Sequence, residues 1–353
     1  MIFDVAVVGA GPAGVVSALV LTRAGRRVAL VDGGPSPTRR VGESLIGAAR
    51  PLLRELGLLE IVQGGSHIPS YGNAFSWGSP EIVHTDFIHD PNGLGWHLDR
   101  SQFDRDLRSH ARNREIRFHQ GQVKKLSVED DVWRLDGENF QIGAKWIVDA
   151  TGRSSAVARK LEAIRTNDDS LMAVYAWTGP KSDDTDSRTL VEATQNGWWY
   201  TSRLPDLSRV VVFHTDSDRV GALVKSSEVW KRALRETVHI QKAIAMDSFI
   251  PELHCTQACG ARLDRFAGEN WLATGDSALS FDPLSSQGIF TALYSGMKAG
   301  QAVHRALSRE AGTIAEYVNR LEGIRASYLE NRQYVYSTER RWSESTFWKS
   351  KQT

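Results

Sequence analysis

The chain has 353 residues, 41% of them apolar and 24% charged, with a formal net charge of +1. That length can bury one large core or two coupled ones, and the composition excludes a disordered chain. Lys and Arg are spread along the sequence, which argues against nucleic acid as a partner, and two cysteines, Cys255 and Cys259, are too few for a disulfide framework.

Phe3 to Val8 form a short apolar run ending at Gly9. Gly9-Ala10-Gly11-Pro12-Ala13-Gly14 then leads into residues of helical period, so the pattern is strand, glycine turn, helix. Gly9 permits the tight turn, Gly11 lets backbone approach a pyrophosphate, and Gly14 lets helix and strand pack closely. The helix start, with its unpaired N–H groups, favours phosphate. Val28 to Val31 form a second strand ending at Asp32, eighteen residues past Gly14, where an acid can accept both hydroxyls of a ribose. A glycine-rich turn alone is weak evidence; the terminal acid makes it a dinucleotide site.

Further along, Arg40-Val41-Gly42-Glu43-Ser44 precedes an excursion, residues 64–97, that contains Trp77. Arg100, at the end of Gly95-Trp96-His97-Leu98-Asp99-Arg100, precedes the next predicted helix, from Ser101. The strand Trp146-Ile147-Val148 ends in Asp149-Ala150-Thr151-Gly152, a second turn at the same ligand edge. A longer excursion, residues 162–260, alternates apolar and polar residues, which predicts an antiparallel sheet, plus a helix from Ser227 to Ile240. Trp198, Trp199 and Tyr200 sit together on one predicted strand; Trp198 and Tyr200 share a face and Trp199 takes the other. Trp271 to Thr274 form a last strand before Gly275-Asp276, and Pro283, Ser285, Ser286, Gln287, Gly288 and Ile289 open a helix.

Gly9 to Gly14, Asp149 to Ser155 and Gly275 to Ile289 resemble, in order and spacing, the three fingerprints of flavoprotein hydroxylases of the p-hydroxybenzoate hydroxylase superfamily. The Val-Gly-Glu-Ser stretch and Arg100 resemble the ring-passing segment and cofactor-facing arginine of flavin-dependent halogenases. The resemblance implies an α/β fold: a Rossmann-like FAD-binding lobe (1–63, 98–161, 261–307), an inserted antiparallel-sheet substrate lobe (64–97, 162–260) and a C-terminal helical segment (308–353). It implies non-covalent FAD, with Asp276 on the ribityl chain and Gln287, Gly288 and Ile289 presenting N–H groups to the ring. Gly33 and Val123 complete the expected cofactor contacts.

Halogenases of this kind carry a capturing lysine, and no lysine lies between Val41 and Lys124. Gly95 to Arg100, Trp198 to Tyr200, Asp282 to Gly288, Glu339 to Trp342 and Phe347-Trp348 together resemble a halogenase-like monooxygenase subgroup that includes flavoproteins modifying a tryptophan in oxidases bearing tryptophylquinone. That resemblance implies hydroxylation of an aromatic ring through a flavin C4a-hydroperoxide, with reducing equivalents from NAD(P)H or a separate flavin reductase. The substrate is a small aromatic molecule or a protein-borne tryptophan, with an oxidase subunit as the partner in the second case. A reductase similar to the geranylgeranyl reductases, with a long apolar tunnel, is the alternative.

Trp77, Trp198, Trp199 and Tyr200 are the expected pocket aromatics, with ordinary sheet core as the plainer reading. His97, His214 and Glu43 are the candidates for moving protons, although a satisfied sheet histidine is the plainer reading of the first two. No metal set is present, and Cys255 and Cys259 read as buried thiols. The aromatic and basic residues of Ile324 to Thr353 either pack back on the first lobe or wait to dock a protein substrate. No charged leader precedes the first strand and no apolar run approaches about 20 residues, so a cytoplasmic protein without a membrane span is expected.

Overall fold

The computed structural model describes residues 2–34, 37–244 and 251–352. The edges of the expected segments at Met1 and Thr353, and residues 245–250 of the longer excursion, lie outside the described residues.

The apolar strand Ile2–Val8 forms the middle of a parallel sheet. Val28–Asp32 pairs with it on one side and Gln141–Asp149 on the other, with Arg117–Gln120 and Trp271–Ala273 beyond them. Val5, Ala6, Val7, Ala29, Leu30 and Val31 are fully buried, as expected for parallel strands covered on both faces. Because the strands run the same way, their C-terminal ends bring Gly9, Asp32, Ala150 and Thr274 to one edge, where such sheets bind ligands.

Two helices start at that edge, Pro12–Arg23 and Gly288–Leu307, and glycine lets them touch. A Cβ on Gly296 would lie 2.4 Å from the Ala13 carbonyl oxygen, and Ser17 Oγ donates a hydrogen bond to the Gly296 carbonyl at 2.8 Å.

A seven-stranded sheet faces this edge, in the order His254–Gln257, Leu171–Trp177, Arg209–Asp216, Gly197–Arg203, Thr189–Thr194, Gly72–Ser76, Val83–Asp86. All neighbours are antiparallel except Thr189–Thr194 with Gly72–Ser76, which are parallel. The strands of the longer excursion are antiparallel to one another as expected, and Gly72–Ser76 joins them in parallel because it arrives from the shorter excursion and not through a hairpin. The far face is covered by Ser217–Lys225, Ser227–Leu234 and His239–Ala243. The single helix expected from Ser227 to Ile240 is broken because buried Glu192 accepts the N–H groups of Val238, His239 and Ile240 at 2.6–2.9 Å, starting a new helix there.

The chain ends with the long helix Thr313–Thr338 and the short helix Thr346–Gln352. Tyr336, Phe347 and Trp348 are buried against Trp198, and Lys351 Nζ sits 3.0 Å from both Asp169 and Asp216. Most of these aromatics are interior, as the packed-back reading expects and the docking reading does not; of the named aromatics only Tyr334 is largely exposed. Among the described residues no helix is long and apolar enough to cross a membrane.

Candidate active site

A cavity of about 710 Å³ lies between the edge of the parallel sheet and the seven-stranded sheet. It runs from Gly11, Pro12 and Ala13 past Gly152, Asp276 and the loop Pro283–Ile289 to a wall of Tyr175, Trp198, Tyr200 and His214, and Arg40 to Ser44 with Arg100 form another side.

The glycine turn separates its tasks residue by residue. Gly9 has φ +106°, and a Cβ there would lie 2.2 Å from the Ala150 carbonyl oxygen. A Cβ on Gly14 would lie 1.8 Å from the Gly9 carbonyl oxygen, whereas one on Gly11 would meet nothing within 4 Å. No side chain caps the helix beginning at Pro12. The result is open space in front of unpaired N–H groups, which fits a pyrophosphate. The helix at Gly288 repeats the arrangement, with no side-chain cap and nothing within 4 Å of a Cβ on Gly288.

Asp32 and Asp149 shape the edge without lining the cavity. Asp149 is fully buried and accepts from the N–H groups of Thr151 (2.9 Å) and Ala158 (2.7 Å), holding the second turn. Asp32 pairs with Arg108 at 2.8 Å, and Arg108 also donates to the Ala10 carbonyl at 3.2 Å. Sequence reasoning missed Arg108; its signal is the i, i+4, i+8 row Arg100, Asp104, Arg108 on one face of the helix Arg100–Arg112. Asp104 in that row pairs with Arg40 and, at 3.5 Å, with Arg100, which donates to the Gly42 carbonyl at 2.5 Å. Gly275 allows close packing, since a Cβ there would lie 2.7 Å from Ala13 Cβ. Gly33 and Val123 stand apart from the cavity wall; a Cβ on Gly33 would lie 2.3 Å from Gln122 Cγ, so that glycine serves strand packing.

Glu43 is buried and ties the loop to the opposite sheet. It accepts from Ser202 Oγ (2.5 Å), Tyr200 Oη (3.3 Å) and the Gly42 N–H (3.1 Å). Burial, then the charge of Glu43, pushes the Tyr200 phenol well above its usual range.

His214 lines the cavity, stacked on Trp198 at 3.7 Å and on Tyr200 at 5.7 Å, and burial lowers its pKa to about 3. Its imidazole is therefore neutral near pH 7. Its Nδ1 has no hydrogen-bond partner. His97, in contrast, lies outside the cavity wall. Its Nδ1 donates to the Arg203 carbonyl at 3.0 Å and its Nε2 lies 3.0 Å from Thr189 Oγ1, so it fastens strands and the expectation of a proton-moving His97 is corrected.

Trp198 Nε1 donates to Tyr336 Oη at 3.1 Å, and Tyr336 donates to Asp282 at 2.8 Å. Asp282 is itself in the cavity wall, with its pKa raised by burial. Sequence reading placed Tyr336 among the C-terminal aromatics and Asp282 at the start of the loop before Pro283, but nothing local links the two. The expected pocket aromatics Trp199 and Trp77 lie elsewhere. Trp199 faces the helices, stacked on Phe213 at 4.4 Å, because alternation turns it away from Trp198. Trp77 packs behind Trp198, against Trp348 at 5.2 Å. Cys259 is buried but Cys255 is exposed, correcting the pair of buried thiols. Among the described residues no group of three His, Cys, Asp or Glu side chains is placed to hold a metal.

Against known proteins, the FAD binding domain family matches residues 3–320. "Putative FAD-dependent oxidoreductase LodB" of Marinomonas mediterranea is 29% identical over 356 residues, covering 98% of this chain and 96% of LodB. Among solved structures, the flavin-dependent halogenase CmlS superposes with a TM-score of 0.87 at 24% identity, covering 100% of this chain and 68% of CmlS. QhpG, described as a peptidyl tryptophan dihydroxylase essential for tryptophylquinone cofactor biogenesis, superposes with a TM-score of 0.80 at 22% identity, covering 100% of this chain and 79% of QhpG. At these identities the two structures establish the shared fold. The family match takes in the glycine turn, both sheets and the cavity between them, and so the chain belongs to the FAD binding domain family and is an FAD-dependent oxidoreductase.

Proposed function

We propose that the chain is an FAD-dependent monooxygenase that hydroxylates an electron-rich aromatic ring, including a tryptophan side chain presented by a partner oxidase subunit, with electrons from NAD(P)H or a separate flavin reductase. The observation that carries this reading is the wall of Trp198, His214, Tyr200 and Tyr175 facing the loop Pro283–Ile289, in a cavity to which no described lysine contributes.

In this reading, segments 1–63, 98–161 and 261–307 hold the cofactor, 64–97 and 162–260 hold the substrate, and 308–353 backs the substrate wall. Gly11 and the helix start at Pro12 take the pyrophosphate, Asp32 with Arg108 takes the ribose end, and Asp276 takes the ribityl chain. The amides of Gln287, Gly288 and Ile289 face the ring, and Arg40 to Ser44 with Arg100 pass beside it. Bound FAD, once reduced, supplies activation of oxygen and its delivery as an electrophile. The chain's own residues supply position and dryness. The stacked rings of Trp198, His214 and Tyr200 make a rigid, largely buried aromatic wall beside the substrate, while the Glu43, Ser202 and Tyr200 bonds close one side of the cavity. His214, held neutral by burial, adds an uncharged ring to the wall beside the substrate.

The likeness to CmlS favours halogenation as a second reading. The two separate in one assay: holoenzyme, a flavin reductase with NADH, oxygen and bromide, with indoles, phenols and a tryptophan-containing peptide, read by mass spectrometry. Enzyme-dependent addition of oxygen is expected. Enzyme-dependent bromination would overturn the hydroxylase reading in favour of a halogenase, and anaerobic reduction of an isoprenoid double bond would favour the reductase.

A further inference from the structure

A second cavity, about 530 Å³, adjoins the first and shares Arg153 and Gln257 with it. Three arginines, Arg153, Arg159 and Arg165, are among its lining residues, with Glu162 as the one acidic residue there. In a chain whose formal net charge is +1, three cations around one hollow are a local feature and not a reflection of composition.

What surrounds these groups makes the excess positive charge count. Arg165 donates to Ser280 Oγ (2.7 Å), the Asp276 carbonyl (2.9 Å) and Ser155 Oγ (3.1 Å), all neutral acceptors. Arg153 donates to the carbonyls of Cys259 (2.7 Å) and Phe281 (3.2 Å), and the carboxylate paired with it, Asp276, stands off at 3.6 Å. Carbonyls and hydroxyls satisfy most of these donors, and the carboxylates of Asp276 and Asp149 offset the two fixed guanidiniums only in part. Burial, followed by the charge of Arg153, lowers the pKa of Arg165, as expected for like charges held together. Arg159 is exposed, and among the described residues its side chain has no bonded partner. A rigid pair beside a free third arginine can close on one anion, and guanidinium forks match phosphate oxygens in pairs.

We propose that this second cavity binds a phosphate group of a ligand whose other end enters the active-site cavity. The shared residues Arg153 and Gln257 make the two hollows neighbours, so one extended molecule can occupy both. The ligand class is a phosphate or pyrophosphate ester; its sources are a nicotinamide dinucleotide reductant or a substrate carried on a phosphopantetheine-type arm. Only the destination of the ligand's far end rests on the proposed function; the anion site itself does not.

The test uses the FAD-loaded protein, so that the cofactor's own phosphate site is filled, and inorganic pyrophosphate as the probe in equilibrium dialysis. Saturable binding is expected, weaker at higher salt, and reduced about tenfold in Arg159→Gln, the loss of one charge-assisted contact. Because the Arg159 side chain bonds to nothing in the fold, that variant should keep its flavin absorbance and melting temperature. Displacement of pyrophosphate by NADH or NADPH, with faster flavin reduction, identifies the reductant; displacement by coenzyme A alone identifies the carrier arm. Absence of saturable binding at millimolar pyrophosphate, or equal binding by wild type, Arg159→Gln and Arg159→Glu, overturns the proposal. A negative hydroxylation assay bears on the functional reading alone.

Discussion

His214 shows how one side chain joins stability to the chemistry of the wall. Its ring is held neutral because burial removes it from water, and its pKa falls from the usual 6.5 to about 3. Between those values the unfolded chain binds a proton that the native protein refuses. Stability from this group is therefore level above pH 6.5 and is lost as pH falls below it, by about 2 kcal/mol between pH 7 and 5. The difference in urea midpoint between pH 7 and 5 should shrink in His214→Gln relative to wild type; an unchanged difference would show that the ring is protonated in the native state. The glycine turn gives a sharper pair of variants. Gly11→Val places its side chain in open space, so folding and melting should persist while the yellow colour is lost. Gly14→Val drives a side chain into the Gly9 carbonyl and should abolish folded protein, as circular dichroism would report. At this scale the sequence was readable where chemistry is local, as at Gly9 to Gly14. It was silent on Arg108 and on the bond between Tyr336 and Asp282, because these partners are distant in the chain. Alternation separated Trp198 from Trp199 but could not say which face meets the cavity, because helices cover one face of the sheet and the parallel-sheet lobe the other.

The C-terminal helices act as a buttress behind the substrate wall. Thr346–Gln352 buries Phe347 and Trp348, and Trp348 Nε1 donates to the Thr194 carbonyl at 3.0 Å. Trp77, Trp348 and Tyr336 then back Trp198 from behind. Trp348→Ala should cost about 3–5 kcal/mol, the usual loss for emptying a buried tryptophan site, measured by chemical denaturation. Its effect on substrate affinity should exceed its effect on flavin content, since no residue of this helix lines the cavity beside Gly11 or Gln287. Equal loss of flavin and substrate binding would mean that the buttress supports both sheets alike. Composition left this element ambiguous: aromatic and basic residues near a terminus suit a docking surface as well as a buried one, and only contacts across more than a hundred residues decide.

At the scale of the whole molecule, the parallel sheet was legible because continuous apolar runs ending in glycine and acid report both the strand and its ligand edge. The second sheet was legible as strands but not as an order, since its one parallel pair joins two excursions far apart in sequence. The same remoteness governs the cavity. The helix that opens at Pro12 is seated by Ser17 on Gly296, 279 residues away, and the loop Pro283–Ile289 completes the floor. Closing so long a loop is slow, and contacts of this separation belong late on the folding path. A ligand that binds only after they form stabilises the native state without lowering the barrier to reach it. Added FAD should therefore leave the refolding rate unchanged in stopped-flow fluorescence and slow unfolding in denaturant, and acceleration of refolding would place the edge in the nucleus instead. In a cell short of riboflavin, the chain would fold at its ordinary speed and simply be lost sooner, so its abundance would follow the supply of a vitamin as well as the rate of its own synthesis.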